Sequence, residues 1–389
     1  MKHLLQCIGC SKEFKPTQIY TCPECGDLLQ IIYDYASLGR QLRESLNTPG
    51  PLSVWRYHRI LPVSIKNAVS IGEGGTGLSK SSRLIQRVDT TEVYFKNDGQ
   101  NPTGSFKDRG MTVAITRAVE IGAKRVLCAS TGNTSASMAA YAAKAGLRAV
   151  VLIPKGKIAM GKLLQAVVHG AKIIQVDGNF DKALERARGM ASRRRGLYLV
   201  NSLNPYRIEG QKTLAFEVWE QLGRRVPDVV FVPVGNAGNI SAIWKGFQEL
   251  RQLRLTREVP RMIWVQASGA APLADAYAKG LEEVVQWPNP ETVASAIRIG
   301  APVSWKKALR AVRQSKGAII KASDEEITTA QRLLANHEGI FAEPASAASV
   351  AGLLKAKRLH LIKTYETIVC VITGHGLKDQ KAAANFVSL

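Results

Sequence analysis

Arg125-Val126-Leu127-Cys128-Ala129-Ser130-Thr131-Gly132-Asn133-Thr134-Ser135 sets an apolar run against a small, polar, glycine-containing turn, and an alanine-rich stretch follows. Residues 125–129 read as a buried strand, the turn opens a helix that stops at Gly146, and residues 148–153 form another apolar strand. The pattern extends both ways. Residues 112–121 read as a helix ending at Gly122, and after the second strand come a helix over 160–169 with Gly170 just past its end, a strand over 171–176, a helix over 181–195 and a strand over 197–200. Strands that alternate with helices are joined by crossovers and pair in parallel, so the expected fold class is α/β with open twisted sheets.

Ligands in such sheets collect at the carboxyl ends of the strands, beside helix N-termini with free backbone N–H groups. Several segments occupy that position. In the turn quoted above, hydroxyls and amides could hold a carboxylate and Asn133 could bond an oxygen, although the same residues also suit an ordinary N-cap. Asn201-Ser202-Leu203-Asn204-Pro205-Tyr206-Arg207 ends the next strand, with a helix expected to open over residues 209–213, and Arg207 carries the planar fork that suits a phosphate. The strand over 228–234 runs into Gly235-Asn236-Ala237-Gly238-Asn239 before a helix over 240–250, and strand, glycine loop and helix together make a phosphate cradle. The loop lacks the Gly-Lys-Ser/Thr of a nucleotide P-loop and the Gly-x-Gly-x-x-Gly of a dinucleotide site, so a single phosphate monoester fits it best. The last strand, 367–372, delivers Thr373, whose hydroxyl could donate to a ring nitrogen, and residues 343–348 begin a helix with Pro344 in its first turn.

A strand-like run over 92–96 leads to Asn101-Pro102-Thr103-Gly104-Ser105-Phe106-Lys107-Asp108-Arg109-Gly110. A lysine becomes a nucleophile or base when burial or nearby positive charge destabilises its ammonium. Lys107, beside Arg109 and at a helix start, is the candidate catalytic residue.

Cys7-Ile8-Gly9-Cys10 and Cys22-Pro23-Glu24-Cys25 are two Cys-x-x-Cys knuckles. Four thiolates in this spacing make a tetrahedral zinc site of the ribbon type, whereas disulfides would be reduced in the cytosol. Such a site is closed and therefore structural. Cys128 and Cys370, in apolar surroundings, read as inert core thiols.

The 389 residues are 46% hydrophobic with a formal charge of +22, spread in clusters no longer than Arg193-Arg194-Arg195. Dispersed charge and only 6% aromatic residues describe a solvated surface, and nucleic acid is not the expected partner. The longest apolar runs fall far short of the roughly 20 residues of a membrane-spanning helix, and no apolar leader precedes Cys7, so a cytoplasmic address is expected. The expected domains are a zinc ribbon over 1–35, a large cofactor-binding domain of 36–107 with 201–389, and a small α/β domain over 108–200 inserted into it, with the cofactor in the cleft between the last two.

With these motifs in this order, the chain resembles the threonine synthases, pyridoxal-phosphate enzymes of fold type II that carry an amino-terminal zinc ribbon. The resemblance implies that Lys107 carries the Schiff base, Asn133 contacts the ring hydroxyl oxygen, Gly235, Asn236, Ala237, Gly238 and Asn239 hold the cofactor phosphate, and Thr373 meets the pyridine nitrogen. It also assigns Ser130, Thr131 and Thr134 to the substrate carboxylate, and Asn201, Ser202 and Arg207 to the substrate phosphate. Gly77 stands where the family usually has proline, and Ala301 where it often has asparagine. The implied reaction converts O-phospho-L-homoserine and water to L-threonine and phosphate, the last step of threonine biosynthesis, in a homodimeric enzyme. Two alternatives stay open on sequence: a sister enzyme of the same fold, using phosphoserine or dehydrating threonine, and a nucleic-acid-binding module.

Overall fold

The computed structural model describes residues 3–380 apart from 89, 91, 156–159, 179, 195 and 282, together with residue 382. Residues 1–2, at the start of the expected ribbon, and Arg195, at the end of the helix expected over 181–195, lie outside the described residues.

The chain opens with β1 (His3–Cys7), β2 (Glu13–Phe14) and β3 (Leu29–Tyr33), an antiparallel sheet in the order β2-β1-β3. Along β3 every second residue is buried, the period of a sheet with one covered face. Helix α1 (Tyr35–Asn47) follows, its first N–H groups capped by the Asp34 carboxylate. Next come β4 (Leu78–Lys80), β5 (Glu92–Asn97), α2 (Lys107–Glu120), β6 (Arg125–Ala129), α3 (Asn133–Lys144) and β7 (Arg148–Pro154). Then follow α4 (Met160–Val168), β8 (Lys172–Val176), α5 (Phe180–Arg193), β9 (Leu197–Leu199), α6 (Pro205–Gln211) and α7 (Thr213–Gln221). The remainder runs β10 (Val229–Pro233), α8 (Gly238–Gln252), β11 (Arg261–Ala267), α9 (Pro272–Ala278), α10 (Trp305–Ser315), β12 (Ala318–Ala322), α11 (Asp324–Glu338), α12 (Pro344–Arg358) and β13 (Thr367–Ile372).

The chain divides into two compact units. The first comprises Met1–Gly75, Asn101–Thr103 and Lys107–Thr213. Beside the small antiparallel sheet it holds a parallel sheet in the order β8-β7-β6-β9. Val126 and Cys128 of β6 and Val151 and Ile153 of β7 pack with Met111 and Ile115 of α2 and Met138 and Tyr141 of α3. Leu127 and Leu152, between them in sequence, are buried as well, which is the mark of a parallel sheet covered on both faces.

Helices α2 and α6 cross at two glycines. A Cβ on Gly210 would lie 1.8 Å from the Arg109 carbonyl oxygen, and one on Gly110 would lie 2.6 Å from that of Arg207. Backbone cannot step aside as a side chain can, so any larger residue pries the helices apart. Gly210→Ala is expected to destabilise the protein by about 3 kcal/mol, the upper part of the usual overpacking cost, read as a lowered urea midpoint. An unchanged midpoint would contradict the close crossing.

The second unit comprises Thr76–Gln100, Gly104–Phe106 and Leu214–Leu389. Its sheet has the order β12-β11-β10-β13-β5-β4, parallel throughout except for the edge strand β4. Every residue of β10 is buried, as expected of a strand inside a two-faced sheet.

Three helix starts differ from the sequence reading. Helix α6 begins at Pro205, before the expected opening at 209–213, because the Asn204 side chain accepts the Tyr206 N–H at 3.0 Å and proline fits a first helical turn. Helix α2 begins at Lys107, the helix start expected for that lysine but ahead of the helical stretch read from 112, and α8 begins at Gly238 rather than 240. Each shift places a candidate residue inside a first helical turn.

Candidate active site

In the first unit Lys107 is half-buried and opens α2. Its neighbour Asp108 is fully buried and accepts three hydrogen bonds: from Thr103 N at 2.7 Å, Thr103 Oγ1 at 2.6 Å and Ser137 Oγ at 2.6 Å. Burial pushes the Asp108 carboxyl up to about 6, with the Glu73 charge adding to the rise and the three bonds opposing it. A carboxylate that accepts from both main chain and hydroxyls at a helix N-terminus pins the loop to the helix. Further back, Asn101 Oδ1 accepts the Gly74 N–H at 3.0 Å. The loop before Lys107 is thus fixed at both ends.

The turn after β6 is half-buried from Ser130 through Thr134. Gly132 takes the N-cap position of α3, so no side chain caps this helix, and Asn133 is its first residue. Ser130 Oγ accepts the Gly132 N–H at 3.2 Å, and Ser135 Oγ donates to the Gly132 carbonyl at 2.8 Å, which together shape the turn.

After β9, Asn201 donates through Nδ2 to Ala129 O and accepts through Oδ1 from Ala129 N, both at 2.9 Å. The amide acts as a length of strand that ties the chain beyond β9 to the end of β6. Ser202 is half-buried beside it. Arg207 is 3% exposed, donates from Nη1 to Val200 O at 3.1 Å, and leaves Nε without a partner. Among the described residues no carboxylate pairs with it, and burial lowers its guanidinium to about 10. A buried cation without a counterion is costly, and its recurrent explanation is an anionic ligand.

In the second unit the loop after β10 runs into α8 through Ala237, a non-glycine residue at φ 62°, in the left-handed region. The first N–H groups of α8 have no earlier helical carbonyl to bond, and so are available to an anion. A Cβ on Gly235 would lie 2.9 Å from Ile297 Cα, so only glycine leaves the loop its present course. Asn236 accepts from Ser304 N at 3.1 Å through its carbonyl, and Asn239 Nδ2 is buried with no partner. An orphaned amide donor in a loop of N–H groups matches the needs of a phosphate.

Thr373 follows β13 and is 4% exposed. Its Oγ1 lies 2.9 Å from Ser346 Oγ, which also accepts the Gly374 N–H at 2.7 Å. Its carbonyl accepts the N–H of Phe106 at 2.9 Å, and Gly104 O accepts the N–H of His375 at 2.9 Å. The residues immediately before Lys107 in the chain are therefore paired with the Thr373 segment. Ser346 lies in the segment 343–348 that the sequence marked as a helix start, but its bond to Thr373, 27 residues away, was not read from it.

At the amino terminus the sulfurs of Cys7, Cys10, Cys22 and Cys25 all lie within 4.8 Å of one another, with Cys7–Cys25 at 3.4 Å and Cys10–Cys22 at 3.7 Å. Four sulfurs about 2.3 Å from one zinc ion would be roughly 3.8 Å apart, so the cluster could hold the metal. The N–H groups of Gly9 and Cys10 point at Cys7 Sγ, both at 3.4 Å, a knuckle suited to a thiolate. Cys22→Ser is expected to reduce bound zinc from one ion per chain to none, measured by atomic absorption, and to speed amide exchange in β1 and β3. Equal zinc content in the two proteins would contradict this. Cys128 and Cys370 are fully buried, and burial pushes the Cys128 thiol up to about 12.

A lysine opening a helix, a glycine-rich loop with an orphaned donor and a hydroxyl at a strand end belong to a recognisable class: the family described as pyridoxal-phosphate dependent enzyme matches residues 69–374. Within that class, the threonine synthase of Methanocaldococcus jannaschii is 53% identical over 382 residues, covering 98% of this chain and 94% of the relative. The threonine synthase of Mycobacterium tuberculosis is 56% identical over 336 residues, 86% of this chain and 91% of the relative. The chain belongs to the threonine synthase family of pyridoxal-phosphate-dependent enzymes. Among solved structures, threonine deaminase isoform 2 from Solanum lycopersicum matches with a TM-score of 0.68 at 22% identity, over 92% of this chain and 95% of that one, which shows the shared fold.

Proposed function

We propose that this protein converts O-phospho-L-homoserine and water to L-threonine and phosphate, by γ-elimination of phosphate and hydration at the β-carbon. The observation that carries the reading is Arg207, a buried guanidinium without a carboxylate partner. The cofactor needs one phosphate site, for which the loop after β10 is suited, and a second anion site is required only if the substrate is itself anionic beyond its carboxylate. Dehydration of free threonine would leave Arg207 without a purpose.

Bound pyridoxal phosphate supplies an electron sink for carbanions next to the substrate amine. Lys107 would hold the cofactor through Nζ, and the same amine would move the proton at the substrate α-carbon. Asn133 bonds the ring hydroxyl oxygen, and Gly235, Asn236, Ala237, Gly238 and Asn239 hold the cofactor phosphate with N–H groups and the Asn239 amide. Thr373 donates to the ring nitrogen. Ser346 Oγ has one hydrogen, which goes either to Gly374 O at 3.1 Å or to Thr373 Oγ1 at 2.9 Å, and in the second arrangement the threonine hydrogen is free to point at the ring. Ser130, Thr131 and Thr134 take the substrate carboxylate at the N-terminus of α3. Ser202 and Arg207 take the substrate phosphate, with Asn201 contributing the N–H that its bonds to Ala129 leave free.

The protein acts in the cytoplasm as a homodimer on this reading. No described helix is long and apolar enough to cross a membrane, which agrees with that setting, and light scattering on the purified protein tests the dimer.

The function is tested by side-by-side assays of the protein with pyridoxal phosphate on O-phosphohomoserine, on phosphoserine with sulfite, and on threonine. Threonine and phosphate from the first substrate, at the highest rate of the three, are expected. Fastest release of a 2-oxo acid and ammonia from threonine, or of cysteate from phosphoserine, would replace the proposal with a sister activity.

A further inference from the structure

We propose that Ser295 and Asp379 are positioning residues that hold the wall of the cofactor-phosphate loop, an inference that rests on the assignment of that loop above. The loop is flanked by an irregular segment, residues 292–304, whose only regular piece is the short turn Ser295–Ile297 and whose Ala294 and Ile297 pack into the core. Ile297 Cα would lie 2.9 Å, and Ile299 Cγ1 3.2 Å, from a Cβ on Gly235, so these two residues form a wall against the loop's first residue. On the other side Val303 N and Ser304 N donate to Asn236 Oδ1 and O at 3.4 and 3.1 Å. Moving this segment therefore moves the loop.

Two carboxylates anchor the segment. Asp324 accepts from Thr292 Oγ1 at 2.5 Å and from Val293 N at 3.0 Å, fixing where it enters. Asp379 accepts from Ser295 Oγ at 2.5 Å, two residues before the wall begins at Ile297. Asp379 is 8% exposed and ends the short turn Gly376–Asp379, six residues after Thr373. It thus ties the wall to the segment that carries the proposed ring-nitrogen donor. A hydroxyl-to-carboxylate bond of this kind is charge-assisted and directional, which suits it to setting the position of a loop. The sequence holds no hint of the pairing, since the partners are 84 residues apart.

The test measures the dissociation constants of pyridoxal phosphate and of phosphate-free pyridoxal by equilibrium dialysis, for the parent protein and for Ser295→Ala, Asp379→Ala, Asp379→Asn and Gly235→Ala. Ser295→Ala and Asp379→Ala are expected to weaken pyridoxal phosphate about 10-fold, as for a lost hydrogen bond to a charged group, and to leave pyridoxal within about twofold. Asp379→Asn, which keeps an acceptor for Ser295, is expected to restore most of the loss. Gly235→Ala is the reference for the loop itself. If Gly235→Ala leaves the preference for the phosphorylated form unchanged, the loop assignment fails. If it removes that preference while Ser295→Ala and Asp379→Ala do not, the loop stands and the positioning role is overturned. Equal weakening of both ligands in Ser295→Ala and Asp379→Ala would also overturn it, in favour of a purely structural bond.

Discussion

Lys107→Ala is expected to abolish threonine formation, by at least about 10³-fold in kcat, within the range for a lost acid–base group and with the loss of covalent cofactor attachment added. Lys107 begins α2, and the loop before it is held by the Asp108 carboxylate and by the pairing of Gly104 and Phe106 with the Thr373 segment. Those contacts use the main chain and Asp108, not the Lys107 side chain. The variant should therefore keep the loop in place, and retention of more than a few per cent of activity in a correctly folded variant would remove Lys107 from its role.

Arg207→Met should separate function from stability. The substrate phosphate would lose a buried, charge-assisted partner, a loss of about 3–5 kcal/mol, so kcat/KM for O-phosphohomoserine should fall by roughly 10²–10³ or more. In the ligand-free protein the same change removes a buried cation that no carboxylate compensates, at the expense of one bond to Val200 O. The thermal midpoint without substrate is accordingly expected to stay level or to rise. A sharp drop in the midpoint together with unchanged kcat/KM would mean that Arg207 serves the fold alone.

The contrast between Lys107 and Arg207 shows how far sequence reading reaches. Arg207 was visible as a guanidinium after a strand, but its burial and its missing counterion depend on which side chains the fold brings around it. The Asp108 network was similarly hidden, because Ser137 donates to it across 29 residues. The alternation of strands and helices was plain wherever strands were wholly apolar: β6 and β13 run over the residues expected, and β7, β8, β9 and β10 differ by a residue or so at their ends. Strand β11 escaped notice because Gln266 interrupts its apolar run. In the structure Gln266 is buried and satisfied, accepting from Ala274 N at 2.9 Å and donating to Ala270 O at 3.4 Å. Strand β12 is short and contains Lys321, which reaches Asp275 at 2.9 Å, so it lacked a strand's apolar pattern as well. The charge is another case. Arg125, Arg148 and Lys172, dispersed in sequence, stand exposed at the first residues of three adjacent parallel strands.

The cysteines show the opposite behaviour. Their short spacing within each knuckle reflects a local turn, and Gly9 and Cys10 direct N–H groups at Cys7 within that turn. Only the approach of the two knuckles needed β1, β2 and β3. Chemistry confined to a few consecutive residues is legible in sequence, whereas chemistry built from residues tens of positions apart is not.

The account's central claim is a phosphate-releasing hydration driven by Lys107. It is tested most directly by incubating the protein and pyridoxal phosphate with O-phosphohomoserine and measuring threonine and inorganic phosphate in the same sample, with Lys107→Ala alongside. Equimolar threonine and phosphate, both absent with the variant, are expected. Phosphate released without threonine, or threonine formed equally by the variant, would contradict the account.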